Sequence, residues 1–107
     1  MRRGRQIRNR RGNAVLESYV VRETKKAAKL AGFHHKKVKY VGSNGAPDDW
    51  FFGFGGELVI IEFKAPGKLP EDHQAAEISR LRRRGFTVYV VDSAEVGIEI
   101  FRARPQW

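Results

Sequence analysis

The spacing of hydrophobic positions along this chain changes several times, and each change marks a different element. Apolar residues lie three or four apart within residues 13–31, which predicts an amphipathic helix capped by Asn13 and ended by Gly32. Apolar residues are nearly continuous in residues 57–63 and 86–91. Such runs are typical of strands covered on both faces, so a buried sheet is expected beside the helix.

Two further strands and a second helix complete the pattern. Residues 34–41 predict a short strand with a basic face. The aromatic run at residues 49–54 is separated by Gly55-Gly56 from the strand that follows, which indicates a hairpin. Pro70 suits the first turn of a helix, and Gly85 suits its end. The predicted order is therefore αβββαβ.

This order predicts an α/β fold, with a mixed sheet flanked by helices. The strand–helix–strand unit in residues 57–91 predicts a parallel pair of strands joined by a crossover. Asp92 or Ser93 is expected to cap a last short helix or turn. A chain of 107 residues has room for one core, so we expect a flexible basic arm at residues 1–12 and a single domain at residues 13–107.

The charge of the chain indicates a polyanionic partner. Lysine and arginine number 21 against 12 acidic residues, which gives a net charge of +9 and favours nucleic acid as the partner. The arginines at the end of the second helix could contact phosphate or balance the helix dipole equally well. The candidate nucleic-acid contacts are Arg2, Arg3, Arg5, Arg8, Lys36, Lys37, Arg82 and Arg83.

The absence of cysteine excludes a disulfide framework and a zinc site made of thiolates, and it suits a reducing compartment. No apolar run approaches the length of a membrane span, and the amino terminus lacks the apolar core of a signal peptide. We therefore expect a cytoplasmic protein that does not enter a membrane.

Charged residues at the end of a buried strand are the first sign of chemistry. Glu62 and Lys64 are two apart, so they leave the same face of the strand. The hairpin decides which acid joins them: a two-residue turn places Asp49 opposite Glu62, and a three-residue loop at residues 54–56 places Asp48 there. The sequence leaves both registers open. On a basic protein, such carboxylates predict a metal site that acts on phosphates.

Four motifs occur in order and carry a family resemblance. They are Glu17 on the first helix, the turn Gly45-Ala46-Pro47-Asp48, the strand Glu62-Phe63-Lys64, and Gln74 on the next helix. With these motifs, residues 14–95 resemble the VRR-NUC branch of the PD-(D/E)XK nuclease superfamily, which implies a restriction-endonuclease-like fold. One departure is Asp49, which stands where that family usually has an apolar residue.

The resemblance implies roles for individual residues. Asp48, Glu62, Lys64, Gln74 and Glu17 would be catalytic. Asp48, Glu62, the backbone carbonyl of Phe63 and Glu17 would bind Mg²⁺, for which Mn²⁺ would substitute. Taken alone, Glu17 would be interpreted as an acid that complements the helix dipole; the resemblance makes it a site residue.

The resemblance also implies a substrate and an assembly. It implies a phage-type, metal-dependent endonuclease that hydrolyses phosphodiester bonds of branched DNA, such as Holliday junctions, as a homodimer in the host cytoplasm. Two alternatives are a non-catalytic basic module that binds nucleic acid, and a nuclease or nickase for linear or single-stranded DNA. The aromatic residues of the hairpin could form the dimer interface or serve the core: Trp50, Phe51, Phe52 and Phe54.

Overall fold

The computed structural model describes the backbone of residues 10–102 and the side chains of residues 16–102. Its elements are α1 (Arg10–Leu30), β1 (His34–Lys37), β2 (Asp49–Phe52), β3 (Leu58–Phe63), α2 (Asp72–Arg83), β4 (Thr87–Val91) and α3 (Ala94–Arg102). The predicted αβββαβ order is confirmed, and a third helix follows it. Most of the basic arm, including Arg2, Arg3, Arg5 and Arg8, lies outside the described residues.

The ends of the helices follow local capping rules, with corrections at the starts of α1 and α2. Helix α1 already includes Arg10, so the prediction that Asn13 caps it is wrong; arginine has a high helix propensity, and a single internal glycine costs only about 1 kcal/mol. Helix α2 begins at Asp72 with Glu71 as its N-cap, so Pro70 precedes the helix and does not lie in its first turn. The end of α1 is as predicted, because Gly32 adopts a φ of 88°. Ser93 caps α3, where its hydroxyl accepts a hydrogen bond from the Val96 N–H at 3.3 Å.

The four strands form one mixed sheet in the order β1-β2-β3-β4. β1, β2 and β3 pair antiparallel, and β3 pairs with β4 in parallel, as the crossover predicted. The hairpin closes through a 3₁₀ turn at Phe54–Gly56, and Asp49 lies opposite Ile61. One further position in this register brings Asp48 opposite Glu62. The three-residue loop is therefore the alternative that the structure adopts.

Each face of the sheet packs against different helices. Side chains alternate along β3, so Ile61 packs with α1 and α3, and Ile60 packs with α2. Among the hairpin aromatics, Phe51 is fully buried, whereas Phe52 and Phe54 are 40% and 58% exposed. Glu62 shares the face of Ile60, so it points toward α2.

No described helix is long and apolar enough to cross a membrane.

Helices α1 and α3 touch closely on their shared face. A Cβ atom on Gly97 of α3 would overlap the side chain of Thr24 of α1. Both residues are buried, and the Thr24 hydroxyl has no hydrogen-bond partner among the described residues. This contact fixes the position of α1, and with it the position of Glu17, relative to the rest of the fold.

Candidate nuclease site

Glu62, Lys64 and Gln74 meet where β3 ends and α2 begins. The Lys64 ammonium lies 3.8 Å from a Glu62 carboxylate oxygen, and the Gln74 amide donates a hydrogen bond to the same oxygen at 3.2 Å. Gln74 is fixed at its other end, because its side-chain oxygen accepts a hydrogen bond from the backbone N–H of Glu71 at 2.9 Å. This capping box holds the Gln74 side chain in one direction, toward Glu62.

Glu62 is the most strongly perturbed carboxyl group of this cluster. Its residue is 7% exposed, and burial raises the pKa of its carboxyl group from 4.5 to about 7. The charge of Lys64 opposes this rise, while Asp48, Asp49 and Glu17 add to it. The acids are therefore close enough to repel one another. The second Glu62 oxygen, Oε1, is buried and has no hydrogen-bond partner among the described residues.

The two adjacent aspartates have different surroundings. Asp49 is 3% exposed; its carboxylate lies 2.7 Å from His35 Nε2 and accepts a hydrogen bond from Lys37 at 3.2 Å. The Asp48 side chain is 47% exposed and lies 3.3 Å from the same Lys37 ammonium. Successive side chains on a strand point to opposite faces. Asp49 therefore joins β2 to β1, and Asp48 is the acid on the side of Glu62.

The loop that carries Asp48 is held against α2. The Tyr40 hydroxyl donates a hydrogen bond to Glu77 at 2.6 Å, and burial together with this bond raises the pKa of Tyr40 to about 12. Gly45 has a φ of 91°, and a Cβ atom there would lie 2.9 Å from the backbone oxygen of His73. The glycine of the Gly-x-Pro-Asp turn thus permits close contact with the helix that carries Gln74. No motif in the sequence pointed to Tyr40.

The donor set suits a cation that retains water. Within residues 10–102, no three acidic or histidine side chains form a ready-made metal cage. The candidate oxygen donors are Asp48, Glu62 and the Phe63 carbonyl, and the charge of Glu17 acts on Glu62. Mg²⁺ commonly uses one or two carboxylates and completes its shell with water and substrate phosphate. The unpartnered, buried Oε1 of Glu62 fits this requirement, because a cation would satisfy it.

The predicted phosphate contacts that the structure describes lie in two places. Lys36 and Lys37 are exposed on β1, next to the acids. Arg82 and Arg83 lie about 13 Å along α2 from Gln74. The Arg82 guanidinium donates two hydrogen bonds to the Val88 carbonyl, at 3.0 and 2.6 Å, so it also fastens α2 to β4. A role for these side chains in binding DNA stays a prediction.

Comparisons with known proteins point to one family. No protein-family model matches the chain. Over 81 residues it is 33% identical to "Putative nuclease p44" of Acyrthosiphon pisum secondary endosymbiont phage 1, an alignment that covers 76% of this chain and 83% of the phage protein. A solved VRR_NUC domain matches with a TM-score of 0.76 and 29% identity, covering 83% of this chain and 97% of that one. The chain therefore belongs to the VRR-NUC family of nucleases and has the PD-(D/E)XK fold.

Proposed function

We propose that this nuclease is a Mg²⁺-dependent endonuclease that cuts branched DNA, Holliday junctions in particular, as a homodimer in the host cytoplasm. The observation that carries the proposal is the carboxylate of Glu62. It is buried beside Lys64 and Gln74, it lies close to Asp48, and it retains one oxygen without a partner. A buried acid with this environment is expensive to ionise unless a cation balances its charge.

Asp48, Glu62 and the Phe63 carbonyl would hold the cation, and Glu17 would bind it directly or through water. When bound, the cation lowers the pKa of a coordinated water and polarises the phosphoryl group. The chain's contribution is to keep two carboxylates together at a place where they repel each other without a cation. Burial on the α2 side of the sheet also limits the water that competes for the Glu62 oxygens.

Lys64 and Gln74 supply the remaining functional groups. Lys64 is largely buried, and its ammonium can orient the attacking water and stabilise the charge that develops on the phosphate. The Gln74 amide has a second N–H besides the one that contacts Glu62, so it can orient that water or a neighbouring phosphate oxygen. Because the capping box fixes Gln74, this N–H needs little reorganisation to act.

Net charge, similarity to a phage protein and symmetry support the proposed DNA substrate and the proposed homodimer. The net charge of +9 suits a nucleic-acid partner, and a similar protein is encoded by a phage. Two copies related by a two-fold axis would present two sites to a four-way junction, whose arms allow a matching symmetry. Phe52 and Phe54 are exposed apolar side chains of the kind that a second copy would cover.

The test is cleavage of a labelled four-way junction and a matched linear duplex by wild type, Lys64→Ala and the control Lys68→Ala. Lys68 is an exposed lysine four residues further along the chain. We expect paired cuts near the branch with Mg²⁺ and none in EDTA. Lys64→Ala should cut at least about 100-fold more slowly, as expected for the loss of one group that stabilises the transition state. Lys68→Ala should cut at nearly the wild-type rate.

Other outcomes would each remove a defined part of the proposal. Equal cleavage of both DNAs would keep the nuclease and remove the preference for junctions. Cleavage in EDTA would remove the metal. Binding without cleavage of either DNA would favour a non-catalytic module instead. Light scattering on the same samples tests the homodimer, which a monomeric mass at working concentration would contradict.

A further inference from the structure

A basic groove runs along the exposed side of α1, next to the edge strand β1. It has a volume of about 830 Å³, and we name it the α1 groove. Four cations of α1 line it, and Val21 and Phe33 add apolar surface. The cations are Arg22, Lys25, Lys26 and Lys29. The groove lies on the face of the sheet opposite α2.

We propose that the α1 groove binds the sugar–phosphate backbone of the duplex arm that leads into the cleavage site. This inference rests on the proposed nuclease function, since it names the path that the substrate takes to that site. Three observations carry it: the groove reaches the site, its length matches several phosphates, and two of its four cations have no acidic partner among the described residues.

The groove and the candidate site meet beside the pair Asp48-Asp49. His35 lines the groove together with Glu17, and its Nε2 lies 2.7 Å from the carboxylate of Asp49, the neighbour of Asp48. From Glu17 to Lys29 the helix rises about 18 Å. Phosphates of one strand are spaced about 3.4 Å apart along a duplex, so this length corresponds to about five phosphates. A strand that follows the groove therefore arrives at the carboxylates.

The charge of the groove favours an anionic backbone. Arg22 and Lys26 each lie 3.5 Å from Glu23, so they share one acid. Lys25 and Lys29 are exposed, and neither has an acidic partner within 4 Å among the described residues. They are one helical turn apart, about 6 Å. Unpaired cations at this spacing can each neutralise a phosphate of the same strand and release its counterions.

The experiment compares two double variants that remove the same charge from opposite faces. Lys25→Gln/Lys29→Gln alters the groove, and Arg80→Gln/Arg84→Gln is the control at the end of α2, with the same spacing of four residues. All four positions are exposed; Lys25, Lys29 and Arg80 lie on helices and Arg84 is the C-cap of α2, and glutamine has a helix propensity similar to that of lysine and arginine. Far-ultraviolet circular dichroism verifies that each variant is folded.

Binding to a linear duplex is measured in EDTA, with Lys64→Ala in every protein so that the DNA stays intact. The slope of log affinity against log salt is negative, and each lost phosphate contact makes it less steep by about 0.9. The slope of the groove variant should therefore be less steep than that of the parent by about 1.8. Between about 200 and about 50 mM monovalent salt, the parent protein should then gain about 12-fold more affinity than the groove variant gains. The α2 control should keep a slope close to that of the parent.

Two results would overturn the inference. One is an unchanged slope in the groove variant, which would show that the groove does not contact DNA and would favour another ligand, such as an acidic protein segment. The other is an equal loss in both variants, which would indicate a diffuse field and no path. Failure of the proposed function looks different: wild type would not cut DNA with Mg²⁺, whereas the slopes would still separate the groove variant from its control.

Discussion

The buried carboxyl group of Glu62 gives the sharpest prediction, which concerns stability as well as catalysis. We consider Glu62→Gln, which removes the ionisable group and keeps the shape of the side chain. The new side chain still offers an oxygen to the Gln74 amide, which now bonds to Glu62 at 3.2 Å. We expect this variant to be inactive in cleavage and, above neutral pH without metal, more stable than wild type.

The magnitude follows from the pKa of Glu62, which is about 7 in the folded protein against an ordinary 4.5. The folded state therefore binds this proton more tightly than the unfolded state does. As a result, the wild-type free energy of unfolding falls as the pH rises from about 4.5 to about 7, and the loss is complete above that range. The separation of the two values corresponds to about 3 kcal/mol. The Glu62→Gln variant has no ionisable group at this position, so its free energy of unfolding does not fall in this way.

The assay is urea unfolding in EDTA at about pH 4 and about pH 8, where the side chain is mostly protonated and mostly ionised. The stability advantage of Glu62→Gln should be near zero at the lower pH and reach about 3 kcal/mol at the higher one. The control is Glu95→Gln, an exposed acid of α3, which should change stability by no more than about 0.5 kcal/mol at either pH. An advantage of Glu62→Gln that is the same at both pH values would refute the reasoning.

Adding Mg²⁺ to the same samples at the higher pH gives a second readout that does not depend on activity. A ligand that binds only the folded state at about 100 times its dissociation constant adds about 2.7 kcal/mol to the free energy of unfolding. We expect this gain in wild type and not in Glu62→Gln. An equal gain in both proteins would show that the cation binds elsewhere.

Two further predictions concern the adjacent aspartates and the close contact between α1 and α3. Asp49→Asn should lower stability by about 1–3 kcal/mol, because it weakens the contacts of a buried carboxylate with His35 and Lys37. Asp48→Asn should change stability by no more than about 0.5 kcal/mol and still abolish cleavage. Urea unfolding and junction cleavage check both, and the reverse assignment would contradict them. Gly97→Ala should cost about 1–3 kcal/mol in thermal unfolding because its Cβ would overlap Thr24, and unchanged stability would mean that α3 moves freely.

Most elements could be predicted because they depend on local patterns. The apolar runs identified β3 and β4, and the glycine at position 32 marked the end of α1. The register of the hairpin could not be predicted, because turns of two or three residues are both permitted around Gly55-Gly56. The structure uses Phe54–Gly56 as a 3₁₀ turn, with Gly55 at a φ of 70° and Gly56 at 80°. One residue of loop length thus decides which aspartate faces Glu62.

The remaining features depend on which elements are neighbours, and the sequence does not encode that locally. Lys25 and Lys29 could be placed outside the apolar stripe of α1, but a groove exists only because β1 lies at the edge of the sheet beside that helix. The contact between Tyr40 and Glu77 likewise joins residues 37 positions apart in the chain. Helical and strand periods define the faces of elements, and only the tertiary fold brings those faces together.

The departure from the family pattern at Asp49 has a physical explanation in the pairing of β1 with β2. Asp49 lies opposite Lys37, and His35 lies two residues earlier on the same face of β1. Burial alone would lower the pKa of the Lys37 ammonium, but Asp49 and Asp48 outweigh it and raise that pKa. One lysine therefore balances two adjacent acids, at 3.2 and 3.3 Å. An apolar residue at position 49 would remove this tie between the strands, so we infer that Asp49 holds β1 in place and leaves Asp48 to the site.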